Sequence, residues 1–205
     1  MPGKRKLVMN LINNSNMIKR LVMSVSAILL FLAGASCKAN TNTNTNTETV
    51  NKDMSKKILF INGSPNKDGN TANMTKLLLS GHEYETLNLC DYRINFYGQT
   101  LEGDQFDEIL EKMKTADIVV FGSPVYWHNI CASVRTFLER FYGYVPEDTF
   151  KGKHLFFIYQ GAAPTQVMID AGEYTMKRFA DIYGFVYEGM ATSSREAEAL
   201  NEKVK

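Results

Sequence analysis

The stretch Ile61-Asn62-Gly63-Ser64-Pro65-Asn66-Lys67-Asp68-Gly69-Asn70-Thr71 joins two segments of different periodicity. Before it stands Lys57-Ile58-Leu59-Phe60-Ile61, an apolar run rich in strand-forming residues, which reads as a buried strand. After it Met74, Leu77 and Leu78 fall at i, i+3 and i+4, one face of a helix. The stretch is therefore a strand-to-helix turn built from Gly, Ser, Asn and Thr. Such a turn offers backbone N–H groups at a helix N-terminus, where the helix dipole adds partial positive charge and a phosphate fits. It lacks the Gly-Lys-Ser/Thr ending of a Walker A loop and is not a G-x-G-x-x-G turn. Its side-chain donors are neutral: hydroxyls at Ser64 and Thr71 and an amide at Asn70. They suit a phosphate monoester held without a lysine clamp or a metal.

The 205 residues are 44% hydrophobic and 22% charged, a globular composition. Net charge is +1, unevenly spread: five of the 23 basic residues fall in 1–37, which hold no acid, leaving 18 against 22 acids in the rest. A mildly acidic body without a basic stripe argues against nucleic-acid binding. The first 37 residues read as an export signal. A basic region ends at Lys19-Arg20, and the apolar run from Leu21 to Ser36 is short for a membrane span. The small residues Ala33-Gly34-Ala35-Ser36 then lead to Cys37, as at a lipoprotein cleavage site, so Cys37 is the expected lipidation site. Met17 would give a more compact signal than Met1. Residues 38–55, with their Asn-Thr repeat, are expected to be a disordered tether, and 56–205 the folded domain. Cys90 and Cys131 are expected as buried free thiols, at a strand end and within a helix; no metal-ligand spacing or disulfide framework appears.

From Lys57 strands and helices alternate. Strands are expected at 57–62, 84–89, 117–122, 154–159 and 185–189. Helices are expected at about 71–80, about 105–115 with Asp104 as N-cap, about 130–142 and about 165–183. Ser193-Ser194-Arg195-Glu196 reads as the capping box of a short last helix. Five strands alternating with helices imply an α/β fold with a doubly wound parallel sheet, which binds ligands beyond the carboxyl ends of its strands.

The loop after the third strand, Ser123-Pro124-Val125-Tyr126-Trp127-His128-Asn129-Ile130, holds the one tryptophan of the chain, and Gln160-Gly161-Ala162-Ala163-Pro164 follows the fourth strand. An aromatic loop opposite a phosphate cradle suits a flat ring with a phosphate tail, such as FMN. Gly63-Ser64-Pro65 with Gly69-Asn70-Thr71, followed by Pro124-Val125-Tyr126-Trp127, resembles the NAD(P)H-dependent FMN reductases, which include NAD(P)H:quinone oxidoreductase-like flavoproteins, over about residues 57–190. The resemblance implies a flavodoxin-like sheet of order 2-1-3-4-5. It also implies FMN bound by Ser64, Pro65, Gly69, Asn70, Thr71, Pro124, Val125, Tyr126, Trp127 and Gly161. Of these, Ser64, Asn70 and Thr71 would hold the phosphate. Pro124 to Trp127 would line the isoalloxazine, and Gly161 would close its other edge.

Relatives with iron–sulfur clusters carry a cysteine cluster after strand two; the corresponding loop, 91–98, has none, so no metal is expected. The resemblance further implies NAD(P)H as co-substrate, a quinone, flavin or nitro-type acceptor, and a homodimer. The flavin carries the chemistry, so no catalytic side chain is named, and His128 reads as a solvent-facing loop histidine. Two other classes remain open: a flavodoxin-like electron-transfer module without its own substrate, and a surface-anchored fold that has lost flavin. An exported, membrane-anchored protein sits awkwardly with a cytoplasmic reductant; translation from Met54 would give a cytoplasmic enzyme instead.

Overall fold

The computed structural model describes residues 56–205. The expectations for residues 1–37, Cys37 included, and for the 38–55 tether lie outside the described residues.

Three strands are buried almost throughout: β1 (Ile58–Asn62), β3 (Ile118–Tyr126) and β5 (His154–Gln160). Their continuous apolar sequences reflect helices packed on both faces, the usual situation of a parallel sheet. The edge strands β2 (Glu85–Asn88) and β6 (Val186–Ala191) are more exposed and more polar. The order is β2-β1-β3-β5-β6 and every one of these pairings is parallel, as a 2-1-3-4-5 sheet requires. Alternate residues of each strand feed two cores. Leu59, Ile61, Val119, Phe121 and Phe157 pack on α2 (Phe106–Thr115), α3 (Ala132–Glu139) and α4 (Gln166–Tyr183). Phe60, Val120, Phe156 and Ile158 pack on α1 (Asn70–Leu78) and α5 (Ser194–Asn201). The first core is aromatic: Phe141 sits 4.9 Å from Phe179 and 5.1 Å from Tyr183, both edge-on.

Several local expectations change. Residues 123–126 are not loop but a continuation of β3, which folds back at Trp127-His128 to pair antiparallel with β4 (Asn129–Ile130). That hairpin takes up Ile130 and leaves Cys131 as the residue before α3, so α3 is shorter than its apolar face suggested. Asp104 is not the N-cap of α2; Gln105 is. The Asp104 carboxylate instead accepts from the N–H groups of Asn95 and Phe106 and pairs with Arg140 at 2.5 Å, which orders the 92–105 loop. Cys90 is exposed, in a single 3-10 turn after β2, because the strand ends at Asn88, one residue earlier than its apolar pattern implied; Cys131 is buried as expected. The last helix is capped from both sides: Ser193 accepts from the Glu196 N–H, while the Glu196 carboxylate reaches back to Thr192 rather than to Ser193.

Candidate cofactor site

β1 delivers its last residue, Asn62, to the switch point of the sheet, between β1 and β3. The buried Asn62 amide donates to Asn88 at 3.1 Å, and its oxygen accepts the Ser64 N–H at 3.0 Å. Gly63 N–H donates to Gly122 O at 2.8 Å. The loop then folds on itself: Asn66 N–H donates to Ser64 Oγ, Asp68 N–H to Asn66 Oδ1, and Gly69 N–H to Asn66 O. Asp68 faces solvent.

Helix α1 starts at this loop without a side-chain cap and without an acid in its first turn. The N–H groups of Asn70, Thr71 and Ala72 therefore stay outside the intrahelical ladder. Two buried hydroxyls stand beside them. Ser64, 5% exposed, accepts from Asn66; Thr71, 0% exposed, accepts from Gln160 Nε2 at 3.2 Å. Neither donates to any acceptor among the described residues, so both keep a hydrogen for a ligand oxygen. Buried hydroxyls that only accept, at an uncapped helix end, fit an anionic group.

Opposite the loop, Pro124, Val125 and Tyr126 of β3 form the second wall, and Gln160, Gly161 and Ala162 after β5 the third. Together with Ser64, Asn66, Gly69 and Asn70 they enclose a cleft of about 400 Å³. A Cβ on Gly161 would stand 3.0 Å from Val125 Cβ, which is why this position carries no side chain. Val125, Gly161 and Ala162 also line an adjoining cavity of about 310 Å³, completed by Trp127, His128, Ala163, Pro164 and Met168. No lysine, arginine or carboxylate lines either space. A further groove of about 360 Å³, near Lys57 and Tyr84, opens at the amino ends of β1 and β2, the wrong end of the sheet for a ligand of this fold.

Seven of the ten expected cofactor residues thus line one cleft: Ser64, Gly69, Asn70, Pro124, Val125, Tyr126 and Gly161. Pro65 faces solvent, Thr71 lies behind the loop, and Trp127 belongs to the adjoining cavity. Asn66, Gln160 and Ala162 were not among the expected residues. Gln160 and Ala162 flank Gly161 at the carboxyl end of a buried strand, the signal that marks them in retrospect.

The hairpin turn is strained. Trp127 and His128 both adopt left-handed backbone, with φ of 48° and 68°, though neither is Gly, Asn or Asp. Trp127 is 95% exposed. Tyr159 buries a hydroxyl that has no hydrogen-bond partner among the described residues, and burial pushes its pKa up to about 12.

Residues 56–185 match the NADPH-dependent FMN reductase family. The chain belongs to this family. The family is one of FMN-binding oxidoreductases, and the donor set and cleft described above fit that cofactor. Among curated proteins the chain is 32% identical over 112 residues to an iron-sulfur flavoprotein of Archaeoglobus fulgidus, covering 48% of this chain and 51% of that one. It is 36% identical over 98 residues to an iron-sulfur flavoprotein of Methanocaldococcus jannaschii, covering 41% and 51%. The chain therefore spans about half the length of the curated relatives it matches. Among solved structures, an FMN-dependent NADH-azoreductase from Bacillus anthracis in complex with FMN superposes with a TM-score of 0.54 at 17% identity, covering 73% of this chain and 95% of that one. The Trp repressor binding protein from Bacillus subtilis gives 0.57 at 18%, covering 70% and 96%. At these identities the superpositions establish the flavodoxin-like fold alone. Where the curated relatives are named for iron and sulfur, the described residues here hold two cysteines, and no group of three or more His, Cys, Asp or Glu among them is placed to hold a metal.

Proposed function

We propose that the cleft between the β1–α1 loop, the β3–β4 hairpin and the β5–α4 loop binds FMN and passes electrons from NAD(P)H, or another donor, to a quinone, flavin or nitro-type acceptor. The observation that carries this reading is the pairing of an uncapped, hydroxyl-lined helix terminus with an uncharged slot in one continuous cleft. Ser64, Asn70 and Thr71 would hold the phosphate, with the backbone N–H groups at the start of α1. Pro124, Val125 and Tyr126 would face the ring from one side, Gly161 and Ala162 from another. FMN, when bound, supplies the acceptance and release of a hydride equivalent.

The chain's own residues bind, orient and exclude water. β3 and β5 are buried on both faces and hold the two ring walls on rigid backbone. The adjoining cavity, which shares Val125, Gly161 and Ala162 with the first, gives a second ligand a place beside the ring. Its presence favours substrate turnover over a pure electron-transfer module. No side chain is assigned as acid or base. Titration of the protein with FMN, followed by anaerobic addition of NAD(P)H, tests both halves of the reading.

The anchor belongs to the same proposal: export, lipidation of Cys37 and attachment of the flavin domain to a membrane through residues 38–55. Support comes from the basic region, the short apolar run and the small residues before Cys37. A homodimer is proposed on the family resemblance.

A further inference from the structure

We propose that Ser123, Cys131 and Ser133 form a latch that positions the β1–α1 loop against the β3–β4 hairpin, and thereby sets the loop for the FMN phosphate; this rests on the cleft being the FMN site. The two walls come from segments some sixty residues apart in sequence, and one carbonyl joins them. Gly63 O accepts from Ser133 Oγ at 2.7 Å and from Cys131 Sγ at 3.3 Å. The Cys131 N–H donates in turn to Ser123 Oγ at 2.9 Å, and Ser123 donates to Pro124 O at 2.9 Å. Gly63 precedes Ser64 of the phosphate wall; Pro124 belongs to the ring wall. The chain of bonds therefore runs from one wall to the other.

Two features mark these bonds as more than incidental. Cys131 is the N-cap of α3, yet its side chain makes no cap bond to its own helix. N-cap side chains usually turn inward to free N–H groups; this one turns to the loop, as does Ser133 two residues on. The contact is also close. A Cβ on Gly63 would meet Cys131 Sγ at 2.8 Å and Val134 Cγ2 at 2.4 Å, so the loop cannot shift without moving α3. Val134, Phe137 and Leu138 pack α3 into the core, with Cys131 also buried there, while the hydroxyl of Ser133 donates to Gly63 O.

These are positioning residues, since they act through Gly63 and not on the ligand. The test compares the full-length chain's affinity for FMN with that for riboflavin, which lacks the phosphate, by quenching of flavin fluorescence. Ser133→Ala and Cys131→Ala are expected to cut the preference for FMN by about three- to tenfold, the range for one lost hydrogen bond. Riboflavin affinity should change by less than about twofold. Cys131→Ser should restore the preference, because a hydroxyl can donate to Gly63 O. A role in stability alone would weaken both ligands together and would not be rescued. The half-buried Ser133→Ala keeps the test open if Cys131→Ala does not fold. An unchanged preference in the variants, or equal weakening of both ligands, overturns the latch while leaving the site intact. A wild-type protein that binds no FMN overturns the site and the latch with it.

Discussion

Thr71 illustrates how one side chain can serve the fold and a ligand together. Its methyl packs under Gly122, where a Cβ would come within 2.6 Å of it, and its hydroxyl accepts from Gln160. The hydroxyl hydrogen is left over, in a position with no water-facing surface. Thr71→Val keeps the shape and removes that donor. FMN binding should weaken by about 1–3 kcal/mol, the penalty for an unmet acceptor at a buried site, while the cofactor-free protein still folds and loses about 1 kcal/mol with the Gln160 bond. Isothermal titration and a thermal melt check the two halves; an unchanged dissociation constant would show that Thr71 only starts the helix. This residue was legible as a donor in the sequence because it follows Gly69-Asn70 at a strand-to-helix turn. Its burial was not, because that depends on Gly122, Gln160 and the neighbouring strands.

The hairpin between β3 and β4 was the element the sequence concealed. Pro124-Val125-Tyr126 opens on a proline and continues a strand that already contains Gly122, and the turn Trp127-His128 carries none of the Gly or Asn signals that announce a two-residue hairpin. By contrast β1, β3 and β5 were readable because burial on both faces leaves an uninterrupted apolar run. The site's three loops were readable because each follows such a run. The strained turn invites an exchange: Trp127→Asn with His128→Gly suits left-handed backbone and should stabilise the protein by about 1 kcal/mol or more, at the cost of acceptor turnover, since both residues line the adjoining cavity. Melts and steady-state rates test this; lower stability, or unaltered turnover, would show that the turn is neither strained nor functional.

The 92–105 loop carries a pH dependence of its own. Burial works against the Asp104 carboxylate, but hydrogen bonds from Arg140 and the backbone outweigh it and hold its pKa below the ordinary 3.8. The unfolded chain therefore binds the proton more readily than the folded one. The pair's contribution is fully present above 3.8 and is lost as pH falls through the lower folded value. Melting temperature should fall more steeply with acid in the wild type than in Asp104→Asn over about pH 5 to pH 2; parallel curves would place the acid sensitivity elsewhere.

Taken together, residues 56–205 form a flavodoxin-like body whose sheet edge presents a phosphate wall, a ring wall and a second cavity side by side. The proposed anchor makes a separate prediction, because it acts through residues outside that body. Cys37→Ser should release the protein from membranes or stall it as precursor while leaving flavin binding unchanged; a wild-type chain recovered soluble with its N-terminus at Met54 would contradict export. The central claim is that the cleft binds FMN through its phosphate as well as its ring. Fluorescence titration of the purified full-length chain with FMN, and with riboflavin beside it, measures this directly. The account predicts quenching that saturates at one FMN per chain, with riboflavin bound at least about tenfold more weakly for want of the phosphate's hydrogen bonds. No quenching by FMN, or equal affinity for the two flavins, would contradict it.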